Sequence, residues 1–222
     1  MPIASPVSRR LTVAALLLLT FGTGLVDSIG VLVLGRVFVA NMTGNAVFLG
    51  FLFVPGTGFD LTAAVVAVGG FLTGAVIGGH LFRICAPRST RHWITVALGL
   101  DALLLIVMAA LAGAGIVHYD DDSKLYFVAG LAMAFGLQNA TARQFGIPEL
   151  YTTVLTSTIV GIGVDSRLAG GTGAHEKLRW TVVFAMLGGA VVGATLTRVV
   201  VAPVVALAAV IVLTALALFR YG

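Results

Sequence analysis

The stretch VFVANMTGNAVFLGFLFV, Val37–Val54, is an apolar run broken near its start by the polar cluster Asn41-Met42-Thr43-Gly44-Asn45. Whether it crosses a bilayer or enters and returns sets the side on which every later loop emerges, and so decides the fold. Its length is marginal for a crossing, since a helix needs about 20 apolar residues to span the hydrocarbon. A second segment of the same kind, ELYTTVLTSTIVGIGV (Glu149–Val164), is shorter still and carries Thr152, Thr153, Thr156, Ser157 and Thr158.

Six further apolar runs surround these two, at 11–35, 61–83, 92–116, 125–145, 177–200 and 203–219. Of the 222 residues, 59% are hydrophobic and 10% charged, with a mean hydropathy of +1.09. A water-soluble domain has about 25% charged residues, so there is too little polar surface here to cover a globule in water. The same composition excludes intrinsic disorder. The single cysteine, Cys85, excludes a disulfide framework. Unbroken runs of this length satisfy their backbone inside lipid as helices, not as strands. The chain therefore reads as one transmembrane domain, residues 1–222, with the lipid bilayer as its first partner. Arg9-Arg10 followed by Leu11–Thr20 has the look of a signal sequence but reads as a retained first span, because no small-x-small cleavage site follows. The basic residues fall in twos and threes beside the spans, which is the distribution of topology signals and not of a nucleic-acid face.

Laid against itself, the chain repeats. Gly74–Arg83 (GAVIGGHLFR) matches Gly189–Arg198 (GAVVGATLTR) at six of ten positions; Phe21-Gly22 aligns with Phe135-Gly136, and Thr43–Gly50 with Thr156–Gly163. Two repeats are expected, 9–116 and 125–220. If all eight runs cross with Arg9 and Arg10 cytoplasmic, Arg83, Arg88 and Arg91 fall outside, against the positive-inside rule. If the two interrupted segments re-enter, those arginines become cytoplasmic with Arg167, Lys177 and Arg179, and Asp120-Asp121-Asp122 become external. The expected architecture is thus all-α: six transmembrane helices plus two re-entrant segments, in an inverted 3+3 repeat of the kind found in transporters and channels. Short discontinuous crossings are the alternative.

Asp27 lies past the middle of the first span, where a carboxylate costs about 2.5–3.5 kcal/mol and marks a partner or a protonation role. Thr20, Thr23 and Asp27 share one helical face. Asp101 is the other intramembrane acid. Counted from Gly24 and Gly136, Asn139 takes the place that Asp27 holds in the first half. At Asn41–Asn45, a break before an apolar run puts the start of a half-helix in the membrane, with Asn and Thr as its caps, Gly44 allowing close backbone approach and free N–H groups able to bind a solute. Thr152–Thr158 is the weaker counterpart. The stripes Gly70-xxx-Gly74-xxx-Gly78 and Gly189-xxx-Gly193 pack helices closely and offer a surface for a homo-oligomer. The four histidines are scattered, no Walker or G-x-S-x-G motif is present, and neither metal, cofactor nor enzymatic activity is expected.

Gly24-Leu-Val-Asp27, Val37–Asn45, Gly136-Leu-Gln-Asn-Ala140 and Thr152-Thr-Val-Leu-Thr156 together resemble the YoaK-like family of bacterial inner-membrane proteins (domain of unknown function 1275). The resemblance implies a multi-pass bacterial membrane protein and no particular substrate. The family's characteristic positions fall on Asp27, Asn41, Thr43, Gly44, Asn45, Gln138, Asn139, Thr153 and Thr156; Ser157 stands where a further glycine would be expected. The function expected is a secondary transporter or facilitator of a small solute, with Asp27 linked to a coupling proton or cation, the half-helix near Thr43 binding solute, and Gln138 and Asn139 as second-half donors. Such a site requires Asp27, Asn45 and Asn139 to converge on one water-accessible cavity near the midplane. The rival from another class is a membrane scaffold or partner-binding subunit that packs through its glycine stripes.

Overall fold

The computed structural model describes residues 4–54, 56, 58–147 and 155–222, whose regular secondary structure is all helical, with no strand among them. Six helices are long and apolar enough to cross a membrane: α1 (Arg9–Leu32), α3 (Leu61–Cys85), α4 (Thr90–Gly113), α5 (Ser123–Arg143), α7 (Glu176–Thr197) and α8 (Ala202–Tyr221). Two short helices complete the order: α2 (Met42–Leu49), continued by a 3-10 turn over Gly50–Phe53, and α6 (Leu155–Val164). Three of the long helices, α1, α3 and α4, start where a side chain satisfies an orphan N–H group. The Ser8 hydroxyl accepts from Leu11, Asp60 from Ala63 and Ser89 from His92, and Pro203 opens α8.

Close contacts give the direction of each helix. Along α1 and α7 the partners advance together, Phe21 against Gly189 and Leu25 against Gly193; along α3 and α5 Ala129 meets Gly70 and Met133 meets Gly74. Both pairs are therefore parallel. The Asp60 N–H at the start of α3 donates to the Gly35 carbonyl just past the end of α1 (3.1 Å), so α1 and α3 are antiparallel and the segment holding α2 enters and leaves at one end. Since α5 runs with α3 and α7 with α1, the segment holding α6 likewise begins and ends at one end, the opposite one. The expected crossing number and the return of both interrupted segments follow from these contacts.

Glycine explains the parallel pairs. A Cβ on Gly24, Gly74, Gly136 or Gly189 would overlap a carbonyl oxygen of the facing helix: Met186, Met133, Phe71 and Phe21 respectively. Without a side chain, the two backbones approach to direct contact. The stripes are consumed inside the protein, so the surface expected to make a homo-oligomer is already covered.

Charge divides between the two ends. Arg9, Arg10, Arg83, Arg88, Arg91, Arg143, Arg167, Lys177, Arg179 and Arg220 lie at the end where α1 begins. The other end holds Arg36, Lys124 and Arg198 with Asp60 and Asp120–Asp122. There Lys124 Nζ pairs with Asp60 at 2.8 Å, tying the start of α5 to the start of α3. Burial pulls the Asp60 carboxyl upward, but the Lys124 ammonium and the Ala63 N–H outweigh it and hold the group below the ordinary carboxylate value.

Candidate functional site

The first interrupted segment is built from its backbone outward. After α1 the chain reverses at Gly35 and Arg36, both at positive φ (91° and 62°), and runs back along the last turns of α1. Gly30 admits this return, because a Cβ there would overlap the Val37 carbonyl. Residues 37–40 are non-helical, and Val37, Val39 and Ala40 are buried. Irregular backbone at membrane depth needs every N–H satisfied by protein, and here each one is. Val37 donates to the Gly30 carbonyl (3.2 Å), Phe38 to Asn45 Oδ1 (2.8 Å), and Val39 and Ala40 both to Asp27 Oδ1 (2.9 Å each).

Asp27 and Asn45 form a clamp on that backbone. The second carboxylate oxygen of Asp27 accepts from Asn41 Nδ2, so three N–H donors converge on this 5%-exposed group. Asn45, fully buried, also returns Nδ2 to the Phe38 carbonyl at 2.6 Å. Asn41 is the N-cap of α2 but makes no side-chain capping bond, its amide being directed to Asp27. The capping expected of Asn and Thr is replaced by a tie between α1 and the segment leading into α2. Gly44 serves packing: a Cβ there would meet the Phe38 ring at 2.5 Å. Phe38, Phe48 and Phe59 stack in series, with centroids 6.0 and 4.2 Å apart, and hold α2 against the start of α3.

Beside the clamp is a cavity of about 390 Å³, within the range of small-molecule sites. Gly24, Asp27, Ser28, Val31 and Leu32 of α1 form one wall and Met186, Leu187, Ala190 and Ala194 of α7 another; Phe38 and Asn41 border the α2 side and Leu155, the first residue of α6, lies at its edge, and the site is open at the surface, where Val31, Leu32 and Leu187 are exposed. Because the polar atoms of Asp27 are turned into the clamp, the walls are almost wholly apolar.

Of the remaining expected site residues, none of those described lines it apart from Asn41. Thr43 and Thr156 are exposed, and Thr153 lies outside the described residues. Gln138 is buried beside α1, its Nε2 3.5 Å from the Leu19 carbonyl; at 1.5 Å rise per residue that is about 12 Å along the helix from Asp27. Asn139 donates to Phe135 one turn back (2.9 Å). Thr20 and Thr23 bond the carbonyls of Leu16 and Leu19 and offer no free hydroxyl hydrogen to a solute. Asn45 and Asn139 do not line this cavity with Asp27 among the described residues: Asn45 is bonded to Phe38, and Asn139 lies on α5.

Other features escaped the sequence. Arg179 Nη1 donates to the Gly161 carbonyl (2.7 Å) and to Asp165 Oδ2 (2.5 Å), fastening the far end of α6 to the first turn of α7. The i, i+4 relation of Gly161 and Asp165 was the one sign available. Met186, Ala190 and Leu155 carry no polar mark that would single out a cavity wall.

The family described as a protein of unknown function (DUF1275) matches residues 15–218. The UPF0700 transmembrane protein YoaK of Bacillus subtilis (strain 168) is 33% identical over 157 residues, covering 70% of this chain and 67% of YoaK. No solved structure matches the chain. The family match runs from within α1 to within α8 and so takes in both interrupted segments, the clamp and the cavity, and with it this multi-pass membrane protein belongs to the DUF1275 family of uncharacterised transmembrane proteins.

Proposed function

We propose that the protein is a carrier or facilitator for a small apolar or amphipathic solute, and that it has no catalytic role. The cavity where α1, α7 and the start of α6 meet carries this reading. Non-helical backbone at membrane depth is tolerated where it is buried in protein or lines a cavity, and broken helices at such places form the binding sites of secondary transporters. The dispersal of the polar residues argues against a charged solute held at a single midplane site. Asp27 acts here by fixing the α2 side of the cavity, and Asn41 supplies the polar edge for an otherwise apolar ligand, the Ser28 hydroxyl hydrogen being donated to the Leu25 carbonyl.

The same reading includes an inverted relation between two duplicated halves. Exchanging α1 with α5 and α3 with α7 turns the α1–α7 contact into α5–α3, which matches glycine for glycine at Gly24/Gly136 and Gly74/Gly189. Alternating access then amounts to the halves trading conformations. The basic end is assigned to the cytoplasm of a bacterial inner membrane by the positive-inside rule, with the N-terminus inside and the cavity in the external half.

Ala190→Trp fills the cavity without touching the clamp. A panel of short-chain alcohols, amides and weak acids is followed into proteoliposomes bearing either protein. The expected result is protein-dependent uptake of at least one solute that Ala190→Trp removes while the melting temperature is retained. Equal uptake by both proteins across the panel would overturn the proposal. A scaffold role draws support from the internal satisfaction of Asp27 and Asn45, and predicts that Ala190→Trp has no effect on the cell.

A further inference from the structure

Asp101 is the membrane acid that neither the clamp nor the cavity uses. It lies in the middle of α4, fully buried, and neither carboxyl oxygen has a hydrogen-bond partner among the described residues. Asp27, in the same bilayer core, has three N–H donors aimed at it. The two acids are thus built for different states. Converging donors complement a carboxylate, whereas an apolar site without donors accepts a carboxyl group only in its neutral form.

The helices packed against α4 are α3, α5 and α8. Their ionisable side chains are His80, Arg83 and Cys85 near the end of α3, Lys124, Tyr126 and Arg143 at the ends of α5, and Arg220 and Tyr221 at the end of α8. On α4 itself Arg91 and His92 lie in the first turn. None pairs with Asp101. One other buried polar group of α4 also lacks a partner, the Trp93 indole N–H. Trp93, Ala97 and Asp101 are spaced i, i+4, i+8 on the buried face, so the orphan indole lies about 12 Å from Asp101 toward the basic end. Two unsatisfied polar groups on one buried helix face trace a line from that end to the middle of the membrane.

We propose that Asp101 is a proton-binding site in the membrane core, filled in this conformation and emptied to water that reaches it along the Trp93 face when α4 parts from its neighbours. The carboxyl O–H bond breaks, the proton passes to water and the carboxylate is left hydrated; closure of the packing returns the proton from water. Only the coupling of this cycle to solute movement rests on the carrier reading.

Infrared difference spectra of the full chain in vesicles, taken in H₂O and D₂O, test the site directly. Wild-type protein should show a protonated carboxyl C=O band that shifts on deuterium exchange, is absent from Asp101→Asn and persists in Asp27→Asn. Trp93→Phe, which keeps the bulk and removes the N–H, should slow the exchange. A band unchanged in Asp101→Asn, or one that never exchanges, would overturn the proposal. Where a solute is carried, stimulation by a pH gradient should fall at least about tenfold in Asp101→Asn with gradient-free exchange retained. Asp101→Leu retaining full stimulation would reduce Asp101 to a tolerated buried acid. Absence of any carried solute would defeat the carrier reading, and the infrared band would still decide the proton site.

Discussion

Asp27 holds the first interrupted segment by supplying acceptors that no neighbouring backbone provides. Asp27→Ala leaves the buried N–H groups of Val39 and Ala40 orphaned, at about 1–3 kcal/mol each. It should lower thermal stability by about 2–5 kcal/mol and release residues 37–41 to proteolysis or hydrogen exchange. Asp27→Asn keeps one carbonyl oxygen for both N–H groups, and Asn41 can turn its own oxygen to the new amide, so the expected loss is about 1 kcal/mol with the fold retained. Equal destabilisation by Ala and Asn would show that charge, not acceptor geometry, holds the segment. The sequence made Asp27 conspicuous because a carboxylate in hydrocarbon is costly. It could not name the partners, since backbone N–H groups have no residue identity and their placement depends on the reversal at Gly35 and Arg36. Asn41 and Asn45 were legible as polar residues at a break, but not as members of one clamp facing inward.

At the scale of helices, the distinction between packing glycines and idle ones is testable. Gly74→Ala and Gly189→Ala push a methyl group into a facing carbonyl and should cost about 1–3 kcal/mol by overpacking. Gly79 and Gly99 have nothing within 4 Å of an added Cβ, so alanine there should raise helix stability by about 0.5–1 kcal/mol. Melting temperatures of the four variants in detergent check both signs. The Lys124–Asp60 tie between α5 and α3 carries a pH dependence. Because the folded-state value of Asp60 is depressed, its contribution is complete above the ordinary value of about 3.9 and is lost as pH falls through the lower folded-state value. Lys124→Met should therefore cost under about 1 kcal/mol at neutral pH, the pair being partly exposed, and its deficit should shrink as acid protonates Asp60. The long helices were legible from apolar length alone, and the glycine stripes from their spacing. The partner of each stripe was not, because i, i+4 glycine spacing states that a backbone comes close without stating which one.

For the molecule as a whole, the division of charge between its ends supports the orientation proposed above. Eight crossings would place the end of α2 and the end of α1 on opposite sides, whereas the contact between Asp60 and Gly35 places them on one. The positive-inside rule weighs Lys and Arg near span ends, and nearly all of them lie where α1 begins. That arrangement arises only if both interrupted segments return, so charge in the loops and hydrogen bonding in the core, which are physically independent, require the same topology. Four single cysteines in a Cys85→Ser background test it with a membrane-impermeant maleimide. Phe53→Cys and Asp121→Cys should label in intact cells, being exposed at the acidic end. Leu168→Cys and Tyr221→Cys, exposed at the basic end, should label only after permeabilisation. Labelling of Phe53→Cys only after permeabilisation, with Asp121→Cys open to the outside, would put a crossing where the structure has a return and would overturn the external placement proposed for the cavity.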